Sequence, residues 1–151
     1  MSATNSASET VVAAMQRATA VLKTPHEAFL SSTISEALPH FRHLFPELVS
    51  YRGGLFNEAH FDKGMVDDFF DMAAFGDGGS AIPEAEASVN SVGLFAHEVE
   101  AGDREAADAV IAAIGWIWER WVRETYDVEI EVLSSIDAED GAYITFRSRP
   151  A

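Results

Sequence analysis

The hydrophobic pattern of this 151-residue chain changes period once, near Tyr126. Before that point apolar residues recur every three or four positions, and after it they recur every two, which predicts helices first and strands last. Val128, Ile130 and Val132 alternate with Asp127, Glu129 and Glu131, and Ala142, Ile144 and Phe146 alternate with Tyr143, Thr145 and Arg147. The segment from Asp137 to Gly141 reads as the turn of a β-hairpin, with Gly141 as the left-handed residue of a three-residue loop. That register sets Val132 opposite Phe146, Glu131 opposite Arg147 and Glu129 opposite Arg149. Two strands alone are marginal in water, so their apolar face must pack on the helices or on another chain.

The helical part divides at its caps and breakers. Ser6 and Glu9 form a capping box ahead of Val12, Met15, Thr19 and Leu22, predicting a helix over 8–23. Thr24, Pro25 and Glu27 repeat the start signal for a second helix to about Leu38. Phe41, Leu44, Phe45, Leu48 and Val49 are helically spaced and broken by Pro46, with Gly53-Gly54 as a stop, so short or kinked helix is expected there. Asp62 caps an element with Met65, Val66, Phe69, Phe70 and Ala73 on one face and Asp67, Asp68 and Asp71 on the other. Its end lies near Gly76, in the flexible run Gly76-Asp77-Gly78-Gly79-Ser80.

Two further stripes match each other. Ala85, Val89, Val92, Ala96 and Val99 step by 4, 3, 4, 3, and Ala107, Val110, Ile114, Ile117 and Trp121 step by 3, 4, 3, 4. With Gly102 as a C-cap and Asp103 as an N-cap between them, an antiparallel helical hairpin is predicted. Glu84 and Glu86 fall in a first turn, and Arg120 and Arg123 in last turns, as the helix dipole favours. Gly115 costs about 1 kcal/mol relative to Ala in a helix, so a close helix approach is expected beside Trp116. The whole predicts a mainly α fold: a compact bundle of about five to six helices with a C-terminal antiparallel β-hairpin, about 128–148, packed on it. One domain should span 9–151 behind a disordered tail, 1–8.

Charge separates along the chain. Of 25 acidic side chains, 20 lie between Asp62 and Asp140, where the bases are Lys63, Arg104, Arg120 and Arg123, a net charge of −16 for that stretch. The first 61 residues carry −1, and the whole chain −15. Such a field bears on solubility, partners and association rate rather than on fold, and it opposes nucleic-acid binding. An apolar content of 48% with ten Phe and three Trp exceeds what a disordered acidic chain carries. There is no cysteine, hence no disulfide or thiolate chemistry. No secretory signal is visible, and the longest apolar run, Val110 to Trp118, is far short of the ~20 residues of a membrane span, so a cytoplasmic, membrane-free protein is expected.

Catalytic signatures are weak. His40 and His43 are three apart and, with carboxylates, could hold a metal in a metal-dependent enzyme, but no His-Glu-x-x-His pattern accompanies them. Ser134-Ser135 lacks a nucleophile-elbow context, and the glycine runs at Arg52-Gly53-Gly54 and Gly76 to Ser80 lack a P-loop's Lys and Ser/Thr. No enzyme, cofactor or metal is therefore expected. Trp116 falls off the main stripe, either buried on a second apolar face or exposed as a partner anchor. That face, or the edge strand of the hairpin, could also make a homodimer.

From Phe41 to Trp121 the order of features resembles a class of small bacterial helical domains described as immunity-like. The residues carrying it are Leu44-Phe45-Pro46-Glu47-Leu48, Met65-Val66-Asp67-Asp68-Phe69-Phe70, the run from Leu94 through His97 and Glu98 to Asp103, and Ile114-Gly115-Trp116-Ile117-Trp118-Glu119-Arg120-Trp121. The resemblance implies a protein that binds and neutralises a toxin, commonly an enzyme, by occluding its active site. The acidity suits a basic partner such as a nuclease. Expected contact residues are Asp67, Asp68 and Asp71, Glu98 and Glu100, Trp116, and Asp137, Glu139 and Asp140. The alternative is that the charge serves only solubility or salt adaptation.

Overall fold

A computed structural model describes Ala13 and residues 42–74, 81–95, 104–137 and 141–149. Among them, beyond a short helical turn at 42–44, are three helices and five strands in two antiparallel sheets. The fold is α+β, not a five-to-six-helix bundle. The predicted first two helices and the 1–8 tail lie outside the described residues apart from Ala13, which is helical.

The first departure from expectation is at 48–57. Instead of kinked helix ended by Gly53-Gly54, β1 (Leu48–Tyr51) and β2 (Gly54–Asn57) form a tight hairpin with Tyr51 paired to Gly54. Arg52 and Gly53 both have positive φ, 50° and 85°, as a two-residue turn matched to the strand twist requires. α1 (Lys63–Ala74) follows as predicted from its cap: the Asp62 Oδ1 accepts the Met65 N–H at 2.8 Å.

The second departure is the long helix expected through Val99. α2 (Ala81–Val89) stops at Asn90, and β3 (Val92–Phe95) follows. Ala85, Val89 and Val92 are all buried, so the stripe marked core residues, but its helical period beyond Val89 was fortuitous. Gly93 disfavours helix, and pairing of Val92 with Ile144 on a distant strand supplies the alternative. The helical hairpin predicted from these two stripes is consequently not formed. α3 (Arg104–Tyr126) instead lies on a sheet.

That sheet has the order β3-β5-β4, with β4 (Ile130–Asp137) and β5 (Gly141–Ser148) forming the predicted hairpin. Val132 pairs with Phe146 and Glu131 with Arg147, the Arg149 N–H bonds the Glu129 carbonyl at 2.9 Å, and Gly141 has φ 84°. Besides Ala106 and Ala109, the buried residues of α3 form one face, Ala107, Ile111, Gly115, Trp118 and Val122, one step round from the predicted stripe. It packs with Val92, Ile130, Ala142, Ile144 and Phe146. A Cβ on Gly115 would come 3.3 Å from the Val132 side chain, so the close approach is to a strand rather than a helix.

A second core gathers Phe56, Val66, Ala85 and Val89, with Val49, Tyr51, Phe61, Phe69 and Phe70 against them. α2 belongs to both halves through a buried polar seam. Glu86, placed by sequence with Glu84 in a helix first turn, is fully buried. Its Oε1 accepts the Leu55 N–H at 2.7 Å, and its Oε2 accepts the Ser148 N–H at 2.8 Å. One turn on, the Asn90 Oδ1 accepts the Asn57 N–H at 2.7 Å, while its Nδ2 donates to the carbonyls of Leu55 and Phe146. Two helix side chains thus satisfy strand groups of β2 and of the part of β5 that lies beyond its pairing with β3. α3 is tied to the segment before β1 by the Trp118 indole on the His43 carbonyl and the Trp121 indole on the Pro46 carbonyl, and to the start of β1 by the Leu48 N–H on the Tyr126 hydroxyl.

Candidate functional site: an acidic helix face

α1 exposes a strip of its surface while turning Val66 into the core and Phe69 and Phe70 toward it. At 100° per residue the outward strip contains Gly64, Met65, Asp68, Asp71 and Met72. All five are exposed, Met65 at 40% and Met72 at 63%.

The three aspartates expected to act together do not share one environment. Asp67 faces the β1–β2 turn, where its carboxylate accepts the Tyr51 hydroxyl at 2.9 Å and the Arg52 guanidinium at 2.8 Å. Hydrogen bonds from Arg52 and then Tyr51 hold the Asp67 carboxyl below its ordinary range. Desolvation, followed by the bond to Asp67, pushes the Tyr51 phenol up. Arg52 also stacks over Phe70 at 4.2 Å from the ring centre. Asp67 is thereby neutralised within the fold. Asp68 and Asp71 have no ion-pair partner among the described residues.

Three further acids are similarly engaged. Glu131 pairs with Arg147 at 2.7 Å, Glu124 with Arg120 at 2.9 Å and Glu119 with Arg149 at 3.9 Å. Glu119 rather than Glu129 is thus the carboxylate within reach of Arg149. Trp116 lies on the outer side of α3, 36% exposed, with the Arg120 guanidinium 5.9 Å above its ring. It belongs to the half of the molecule built on the three-stranded sheet, whereas Asp68 and Asp71 belong to the half built on the hairpin and α2. Asp137 closes β4 opposite Gly141; Glu98, Glu100, Glu139 and Asp140 lie outside the described residues.

One carboxylate pair escaped the sequence reading. Glu47 and Glu58 meet at the open end of the β1–β2 hairpin, where the Glu58 N–H bonds the Glu47 carbonyl at 2.8 Å. A hydrogen bond between their side chains and their mutual repulsion raise the Glu58 carboxyl above its ordinary range. They line a pocket of about 270 Å³ with Arg42, Phe45, Asn57 and Ala59. They are eleven positions apart in sequence, and the hairpin register alone brings them together. Among the described residues no three His, Asp or Glu side chains are grouped to hold a metal; His43 is exposed, and His40 lies outside the described residues. No described helix is long and apolar enough to cross a membrane. Compared with protein families, curated proteins and solved structures, the chain matches none.

Proposed function

We propose that this chain is a non-enzymatic acidic binding protein of the immunity or inhibitor type, engaging a basic partner such as a toxin enzyme and occluding its active or nucleic-acid-binding cleft. The observation that carries this reading is the placement of Asp68 and Asp71, both exposed and without an ion-pair partner among the described residues, on one helix strip with the exposed Met65 and Met72. Asp67, Glu119, Glu124 and Glu131 are ion-paired within the fold, whereas these two, like Glu84, Asp108 and Glu129 elsewhere, are exposed and have no ion-pair partner among the described residues. Asp71 also lies in the last four residues of α1, a helix with no base in its last turn, where the helix dipole disfavours negative charge. The pair therefore gives its own helix little, and a basic surface would give it a partner while accelerating association.

The test is charge reversal at these two positions alone, D68K/D71K, leaving Asp67 to hold Arg52. A basic protein captured by the wild type should be released by salt of about 0.5 M and fail to bind the variant, whose melting temperature should be no lower than that of wild type. Full binding by the folded variant removes this surface from the account.

A further inference from the structure

The exposed strip of α1 carries more than charge. Met65 and Met72 are seven residues apart, hence two turns and about 10.5 Å along the axis, within roughly 20° of one another around the helix. Asp68 lies between them, three residues from one and four from the other, and Asp71 borders the strip. Exposed apolar side chains of this size, rimmed by charge, mark interaction surfaces. Methionine suits such a surface because its unbranched thioether repacks against varied partners.

A seam with the spacing 65, 68, 72 is the a-d-a spacing by which two helices pack side by side, with an acid where an apolar residue would ordinarily stand. The occupant must answer both features. A second copy of this chain, packed through the same seam, would bring two Asp68 carboxylates together, with Asp71 beside them and Lys63 as the lone base on α1. Anionic membranes and nucleic acids meet the same opposition from a chain of net charge −15. A helix with its own apolar residues at i and i+7 and lysines or arginines between and beside them matches every position.

We propose that the outer face of α1 seats a basic amphipathic helix of the partner, apolar residues on Met65 and Met72 and cationic residues against Asp68 and Asp71. This rests on the acidic-binding reading and specifies what form of basic partner the surface takes.

Three synthetic peptides of equal charge test it on the full chain labelled with ¹³C-methyl methionine. One is a Lys/Leu helix with leucines on a single stripe, the second has the same composition scrambled to abolish the stripe, and the third is oligolysine. The striped peptide should bind at least about tenfold more tightly than either control. It should shift the methyl resonances of Met65 and Met72 rather than those of Met1 and Met15. M65Q/M72Q should reduce its affinity to that of the scrambled peptide, and D68N/D71N should weaken all three. Equal binding by the three peptides overturns the helix seat while leaving the acidic-binding reading standing. Binding by none overturns both. Tight binding of the striped peptide that survives M65Q/M72Q places the seat elsewhere and overturns the proposal.

Discussion

Glu86 is the residue whose chemistry is most exacting. A fully buried carboxylate with no cation beside it among the described residues is tolerated because everything facing it is a donor: the N–H groups of Leu55 and Ser148 and the Ser148 hydroxyl at 2.8 Å. Glu86→Gln preserves the shape but turns an –NH₂ toward groups that are themselves donors. It should lower unfolding free energy in urea by about 2–3 kcal/mol, and a loss under about 0.5 kcal/mol would show that the seam is not what joins β2 to β5. Glu58 and Asp67 are shifted in opposite senses. Glu58 has a folded pKa raised from 4.5, so its contribution is complete below 4.5 and lost as pH rises through the raised value. Asp67 is lowered from 3.8, so its contribution is present above 3.8 and lost as pH falls through the lowered value. Relief of overall charge repulsion also stabilises the protein on acidification, so the informative quantity is a difference. Relative to wild type, E58Q should lose the part of the stability gain that appears on acidifying toward 4.5, and D67N should lose stability near neutrality that wild type loses only in stronger acid.

At the scale of elements, α3 and β4 approach as closely as Gly115 allows. An Ala there gains about 1 kcal/mol of helix propensity, but its Cβ comes 3.3 Å from Val132 Cγ1. G115A should therefore be near neutral in wild type and stabilising by about 1 kcal/mol in a V132A background, a coupling that a double-mutant cycle measures directly. G115L should destabilise by about 2 kcal/mol or more, since the strand cannot retreat from its ladder. The β4–β5 hairpin was legible in the sequence because 127–132 and 142–147 alternate and are joined locally. The four-residue strands β1, β2 and β3 were not, since so short a run fits a helical spacing as readily. Leu44, Phe45, Leu48 and Val49 did so by chance, and β3 is decided by a partner some fifty residues away. On α3 both 107-110-114-117-121 and 107-111-115-118-122 are apolar, and Gly115 was the sign of which one touches the sheet. Acid-rich α1 was equally plain in the sequence, but the distinction between Asp67 and its neighbours depended on Arg52 reaching it from the turn of an unforeseen hairpin.

For the whole molecule, a charge of −15 acts on folding and on binding with opposite sign, and this separates recognition from mere solubility. The acids of the folded chain repel one another over distances that salt controls: the screening length falls from about 30 Å at 0.01 M to about 8 Å at 0.15 M. Melting temperature should rise over that interval and then level, because the remaining contacts between charges, such as Glu131 with Arg147 at 2.7 Å, are shorter than any such length. Capture of a basic partner should weaken over the same interval. If the acidity serves salt adaptation alone, stability continues to climb into molar salt and no basic partner shows the inverse dependence. D68N/D71N refines the comparison, since it removes two charges of many from the self-repulsion but both unpaired charges from the α1 face. The salt slope of binding should therefore flatten markedly in that variant while the salt slope of melting temperature changes little. Equal changes in both slopes would mean that Asp68 and Asp71 act only as part of the general field.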